Sequence, residues 1–167
     1  MQQTERKQFA AAQNNGDFTR IETRSGATVY AADPLGPTYV LPPDASEKSL
    51  GLALLDCLSH SRFLPYEENR GFFDDRETRK RQQDEWISGL MTQYKYKSRR
   101  ALFSGMDLCT VEKYDGKIHI LPHCHVRSEI WDRRTTYGIE DIVITDTSSP
   151  SEVGKALGLA FARCITE

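Results

Sequence analysis

The sequence predicts an α+β domain, a largely antiparallel β-sheet packed by one helix from the N-terminal half and one from the C-terminus. Three observations lead there. Strand-like segments outnumber helical ones and come as hairpins about short turns. One of those turns, Asp115-Gly116, is the strongest short hairpin signal available. Two segments combine a helical apolar stripe with an N-terminal cap. The 167 residues carry no internal repeat, low-complexity tract or linker. They are read as one domain, 1–167, long enough to bury a real core.

Residues 1–16 are polar and end in "QNNG", so a loose start or a short irregular helix is expected. "DFTRIETRSGATVYAAD" reads as two strands about Ser25-Gly26, with Ile21 and Thr23 on one face and Arg20, Glu22 and Arg24 on the other. "DPLGP" is a turn and "TYVL" a strand ended by Pro42-Pro43. "DASEKSLGLALLDCLSHSRFL" predicts a helix capped by Asp44, with Glu47 completing a capping box. Leu50, Leu54, Cys57 and Leu58 form its core stripe, with Leu55 beside them. "YEENRGFF" is expected as an exposed loop. A second helix should run from Asp74 or Asp75 to about Tyr94. Its first three turns, "DDRETRKRQQDE", have no apolar face and must project into solvent or toward a partner. Only Trp86, Ile87, Leu90, Met91 and Tyr94 can pack. "ALFSGMDLCTVEKYDGKIHILPHCHVR" follows as a hairpin, and a two-residue turn pairs Val111 with Ile120 and Glu112 with His119. After an irregular stretch, "IVIT" is expected as a short buried strand. The final helix has Ser149 as N-cap, Pro150 at N1 and Glu152 at N3. Its buried face is Val153, Ala156, Leu157, Ala160, Phe161 and Cys164.

Composition narrows the function. Hydrophobic residues at 38% are too many for disorder. A net charge of −2 argues against a surface that grips nucleic acid everywhere. No apolar run reaches the roughly 20 residues of a membrane helix. The N-terminus has no apolar leader core, so a cytoplasmic protein is expected. Cys57, Cys109, Cys124 and Cys164 are widely spaced within apolar patterns and read as buried reduced thiols.

The chemistry most in need of weighing is "KIHILPHCHVR" at 117–127, which holds three of the four histidines. Strand alternation puts Ile118, Ile120, Pro122, Cys124 and Val126 on an apolar side, and His119, His123 and His125 on a polar, solvent-facing side. His123 and His125 stand close enough to share a metal, but zinc needs a third protein ligand and none is in reach, so no metal or other cofactor is expected. His119 opposite Glu112, flanked by Lys113 and Lys117, is a crude version of a metal-independent nuclease site. No nucleotide-binding or hydrolase motif is present. The basic runs 79–81 and 95–100 lie next to acidic residues and read as solvated helix faces.

"VLPPDASEKSLGLALLDCLSHSR" (40–62) and "SPSEVGKALGLAFARC" (149–164) resemble the immunity proteins of bacterial contact-dependent growth inhibition systems, the CdiI family. The resemblance spans most of the chain in order. It implies a cytosolic protein without catalysis that binds the C-terminal toxin domain of its cognate CdiA protein, with a nuclease, often one cleaving tRNA, as the toxin. It assigns no binding residues. Those come from the chain itself. A nuclease presents a basic groove, so an inhibitor should offer carboxylates. Glu67, Glu68, Asp74, Asp75 and Glu77 supply five within eleven positions, with Tyr66, Phe72 and Phe73 as anchors. The alternative interface is the histidine face, His119, His123 and His125, with Trp131 beyond it. No direct contact with nucleic acid or membrane is expected. Two other classes remain open at this level: a small nuclease using the histidine strand, and a nucleic-acid-binding module using the basic runs.

Overall fold

The computed structural model describes residues 5–167, and its central strand lies where a loose N-terminus was expected. Strand β1 (Gln8–Asn14) runs between β2 (Thr19–Gly26) and β5 (Asp107–Tyr114), antiparallel to both. Residues 1–4 of the expected loose segment lie outside the described residues. The correction for 8–14 has a physical reason. Ala10 and Ala12 face one layer of helices, while Phe9, Ala11 and Gln13 face the other way and are buried as well. A strand covered on both sides needs no polar alternation, so an alanine run carries it silently.

The sheet continues with β3 (Tyr30–Ala32) and β4 (Thr38–Leu41), both on β2, and with β6 (Lys117–Pro122) on β5. The β5–β6 register is the one the two-residue turn dictates, with Val111 opposite Ile120 and Glu112 opposite His119. Asp115 and Gly116 both have positive φ, 51° and 68°, as this tight mirror-image turn requires. After Pro122 the chain leaves this sheet. Strands β7 (Cys124–Arg127) and β8 (Ile130–Asp132) form a small second sheet, before β9 (Ile142–Thr145) returns to pair with β6. The "IVIT" segment is therefore an edge strand with Val143 exposed rather than a buried one.

Helices α1 (Glu47–Ser59) and α5 (Pro150–Arg163) lie side by side on the inner sheet face. They enclose Leu54, Cys57, Leu58, Val153 and Leu157 against Ile21, Cys109, Val111, Ile118 and Ile120. Their backbones touch at two glycines. A Cβ on Gly51 would lie 1.7 Å from the Pro150 carbonyl oxygen, and one on Gly154 would lie 1.7 Å from that of Glu47. Ser149, Pro150 and Glu152 form the expected capping box of α5. The cap of α1 is Ser46, not Asp44. Asp44 falls in the turn closed by the Ala45 N–H donating to the Pro42 carbonyl, and the Ser46 hydroxyl accepts the Ser49 N–H at 3.1 Å. Of the stripe expected on α5, Phe161 and Cys164 are only half-buried.

The segment expected as an exposed loop is one 3₁₀ turn, Tyr66–Glu68, and a short helix α2 (Arg70–Asp74). Helix α3 (Arg76–Tyr94) begins at an Asp75 cap, within the expected bounds. Its C-terminal half buries Ile87 and Leu90 with Phe18, Leu102, Phe103 and Met106, at the sheet end where β1 turns into β2. Residues 101–103, expected to open the long hairpin, instead belong with Arg99 and Arg100 to α4 (Arg99–Phe103), capped by the Ser98 hydroxyl. The last strand, β10 (Ile165–Thr166), pairs with β7 in parallel, the one parallel ladder among the described residues.

Candidate functional site

The N-terminal half of α3 crosses the outer face of the sheet without closing on it. A cleft of about 400 Å³ is left between them. Arg20, Glu22 and Arg24 of β2 line it from the sheet, Arg79 and Trp86 from α3, and Trp131 from β8. Period-two alternation sets the three β2 residues on the face opposite Ile21 and Thr23. The structure buries Arg20 and Glu22, with 6% and 9% exposure, because α3 arrives from 60 residues away in sequence to cover them.

These charges are arranged about one carboxylate. Glu22 accepts from Arg20 Nη2 at 3.0 Å and from Arg24 Nε at 3.2 Å. The Arg20 guanidinium lies 3.8 Å from the centre of the Trp86 ring, a cation–π contact. Burial raises the pKa of Glu22, but Arg20 and then Arg24 outweigh it and hold the carboxyl below its usual range. Burial lowers that of Arg20, and Glu22 only partly opposes this. Asp33 also lines the cleft, but it is committed elsewhere. It accepts Arg62 Nε at 2.7 Å and Nη2 at 2.9 Å, the Ser25 hydroxyl at 2.6 Å and the Leu35 N–H at 3.0 Å.

Of the acidic segment, Asp75 stands beside this cleft, in a smaller recess that shares Ala32, Pro34, Arg79 and Gln82 with it, and Glu77 lies on another face of α3. Glu67, Glu68, Asp74, Asp75 and Glu77 are all exposed. Their commitments differ. Glu67 pairs with Arg70, Asp74 accepts the Tyr66 hydroxyl at 2.9 Å, and Asp75 caps α3 by accepting the Thr78 N–H at 3.0 Å. Glu68 and Glu77 have no side-chain partner among the described residues. Phe72 and Phe73 are half-buried and pack edge to face on each other, 4.8 Å between centroids. Arg79 lies 4.9 Å from the Phe72 centroid and donates to the carbonyls of Phe72 and Phe73. The Phe72 ring and the two carbonyls therefore hold α2 against α3, and the Phe73 ring packs on Phe72 and Tyr66.

The histidines do not share a wet face. The alternation fails at His123, where the chain passes from one sheet to the other. His123 is half-buried beside Thr110, Nε2 to Oγ1 3.0 Å, and its pKa is pushed down to about 4, by burial first and then by Arg133 and Arg24. His125 is buried at 6% exposure, stacked on Trp131, with Nε2 donating to the Ser128 carbonyl at 2.7 Å. His119 stacks on Tyr114 at 4.4 Å, and Glu112, opposite it in register, is paired with Lys7 instead. Three rings with three separate partners make neither a metal cage nor an acid–base pair. Among the described residues no group of three His, Cys, Asp or Glu side chains is placed to hold a metal ion, and no helix is long and apolar enough to cross a membrane. Trp131 is held by its indole N–H donating to the Met106 carbonyl at 2.8 Å, and of the alternative interface it alone lines the cleft.

A charged, aromatic-walled cleft beside an acidic projection defines a binding protein. The comparisons with known proteins make this specific. The chain belongs to the CdiI family of contact-dependent growth inhibition (CDI) immunity proteins, whose family model matches residues 8–164. It is 36% identical over 168 residues to "Immunity protein CdiI-YPIII" of Yersinia pseudotuberculosis serotype O:3 (strain YPIII), covering 93% of this chain and 94% of that protein. Two solved structures share the fold at a TM-score of 0.85. One is a protein of unknown function from Neisseria meningitidis, 34% identical, with 98% of this chain and 99% of that one covered. The other is a chain of the CdiA-CT/CdiI toxin and immunity complex from Yersinia pseudotuberculosis, 32% identical, with 95% and 97% covered. Members of the family are toxin inhibitors rather than enzymes, which removes the nuclease alternative for the histidine strand.

Proposed function

We propose that this chain acts in the cytoplasm as the immunity protein for one CdiA protein, binding its C-terminal toxin domain through the face that carries the acidic projection and the cleft behind it. The observation that carries this reading is the match, over 95% of the chain, to the fold of a chain in a CdiA-CT/CdiI toxin and immunity complex. The toxin is a nuclease, with tRNA a candidate substrate. Five exposed carboxylates within eleven positions suit a basic substrate groove, and opposed charge of this kind speeds association and rejects wrong partners. Glu67, Glu68 and Glu77 are the residues to test, because Asp74 and Asp75 also hold Tyr66 and the α3 cap.

The test is growth of cells producing the CdiA toxin domain encoded beside this chain. The parent chain should restore growth. A variant with Glu67→Lys, Glu68→Lys and Glu77→Lys should fold normally and protect less. Full protection by that variant would place the interface elsewhere. No protection by the parent would overturn the reading.

A further inference from the structure

The cleft behind the projection has a charge imbalance that the acidic rim does not share. Three guanidiniums line it, those of Arg20, Arg24 and Arg79, and among the described residues two carboxylates act on them, Glu22 on Arg20 and Arg24 and Asp75, beside the cleft, on Arg79. The other two lining carboxylates are taken: Asp33 by Arg62, and Glu129 by Arg99 at 2.6 Å. Arg24 uses Nε on Glu22, and neither of its terminal nitrogens makes a hydrogen bond among the described residues. Arg79 spends Nε and Nη2 on backbone carbonyls. Burial first and Arg24 last depress the pKa of Arg79, and Asp75 only partly opposes them. An Arg with free nitrogens in a partly dry cleft binds a planar anion well.

We propose that this cleft seats one acidic side chain, aspartate or glutamate, of the toxin domain, held between Arg24 and Arg79 and walled by Trp86 and Trp131. The inference rests on the proposed toxin binding. A single carboxylate matches the excess charge. A nucleic-acid backbone does not, because Glu22 lies in the floor and Asp75 already acts on Arg79 from the side. The toxin is thus met by carboxylates at the rim and by guanidiniums inside. Only a partner with the matching inversion of charge docks, which is a physical basis for cognate choice.

The experiment is calorimetric titration of the toxin domain into the parent chain and into the Arg24→Gln, Arg79→Gln and doubly substituted chains, each first checked for folding by circular dichroism. Arg79 lies on the half of α3 that builds no core, so Arg79→Gln leaves the core intact; it also releases the Phe72 and Phe73 carbonyls, an effect that the coupling to one toxin position separates from loss of a carboxylate seat. Arg79→Gln should weaken binding on the order of 10- to 100-fold, and the double variant should lose less than the product of the two single losses, because both residues hold one group. Asp→Asn and Glu→Gln changes across the toxin should find one position whose loss is absent in the Arg79→Gln background. Should Arg24→Gln fail to fold, Arg79→Gln and that toxin-side coupling decide alone. Tight parent binding left unchanged by Arg79→Gln would overturn the carboxylate seat and leave the immunity reading standing. Absence of any parent binding would overturn both.

Discussion

Substituting Gly154 by alanine sets helix propensity against packing, and the structure says which wins. An exposed helical Gly→Ala change gains about 1 kcal/mol from propensity. At Gly154 the new Cβ would stand 1.7 Å from the Glu47 carbonyl oxygen and 2.5 Å from its carbon, both backbone atoms that no rotamer change can move. Ordinary contact begins at 3.4 Å, so α5 must shift away from α1 by a comparable amount. A gap of even 0.5–1 Å forfeits a quarter to a half of each dispersion contact. The contacts at risk are those of Val153 and Leu157 with Leu54 and Leu58, all 0–1% exposed. Strain and lost packing together should cost roughly 3–5 kcal/mol, a large share of the ~5–15 kcal/mol of a whole domain. Gly158, on the same helix, is the control. It is exposed, and a Cβ there meets nothing within 4 Å. Gly158→Ala should therefore stabilise by roughly 0.5–1 kcal/mol. Urea unfolding followed by circular dichroism reads both. Equal midpoints for the two variants would refute the close approach of α1 and α5.

Further outcomes follow from the buried polar groups. Glu22→Gln leaves Arg20 buried without its counter-charge and should cost about 3–5 kcal/mol in the same unfolding assay; a loss below about 1 kcal/mol would show that the cleft floor is well hydrated. His123 titrates near 4 in the fold and near 6.5 when unfolded. Between those values the unfolded chain binds more protons, so stability should be complete above about pH 6.5 and fall by roughly 3 kcal/mol as pH drops toward 4. His123→Asn should remove that slope, and an unchanged slope would assign it to another group. The Glu22 carboxyl, depressed by Arg20 and Arg24, contributes stability that is present above its unfolded value and lost as pH falls through its folded value. Its loss therefore comes at lower pH and survives in the His123→Asn variant. His125→Ala, expected to be harmless if the ring faced solvent, should cost about 2–4 kcal/mol because the ring fills the space between Trp131 and the Ser128 carbonyl; a loss near zero would return it to the surface.

Elements whose cause is local were legible in the sequence. The Asp115-Gly116 turn and its register, the Ser149-Pro150-Glu152 cap and the apolar stripe of α1 depend on residues within a few positions of one another. Features decided by distant cover were not. β1 hides in "AAAQ" because residues on both its faces are buried. The burial of Arg20 and Glu22 has no signal nearby in sequence, because Trp86, which packs on Arg20, comes from a distant helix. The alternation in 117–127 was followed past Pro122, where the chain changes sheets, and this turned His125 outward on paper when the fold turns it inward. The polar start of α3 was legible as a projection, since a helix without an apolar stripe cannot pack its own first turns. The cleft beneath it was not, because its floor and its roof come from opposite halves of the first hundred residues.

Toxin binding is tested most directly by titrating the purified chain with the C-terminal toxin domain of its cognate CdiA protein. The account predicts a one-to-one complex with a dissociation constant on the order of nanomolar that weakens as salt rises, as the opposed charges of rim and groove require. No complex at micromolar concentrations, or a tight one indifferent to salt, would contradict it.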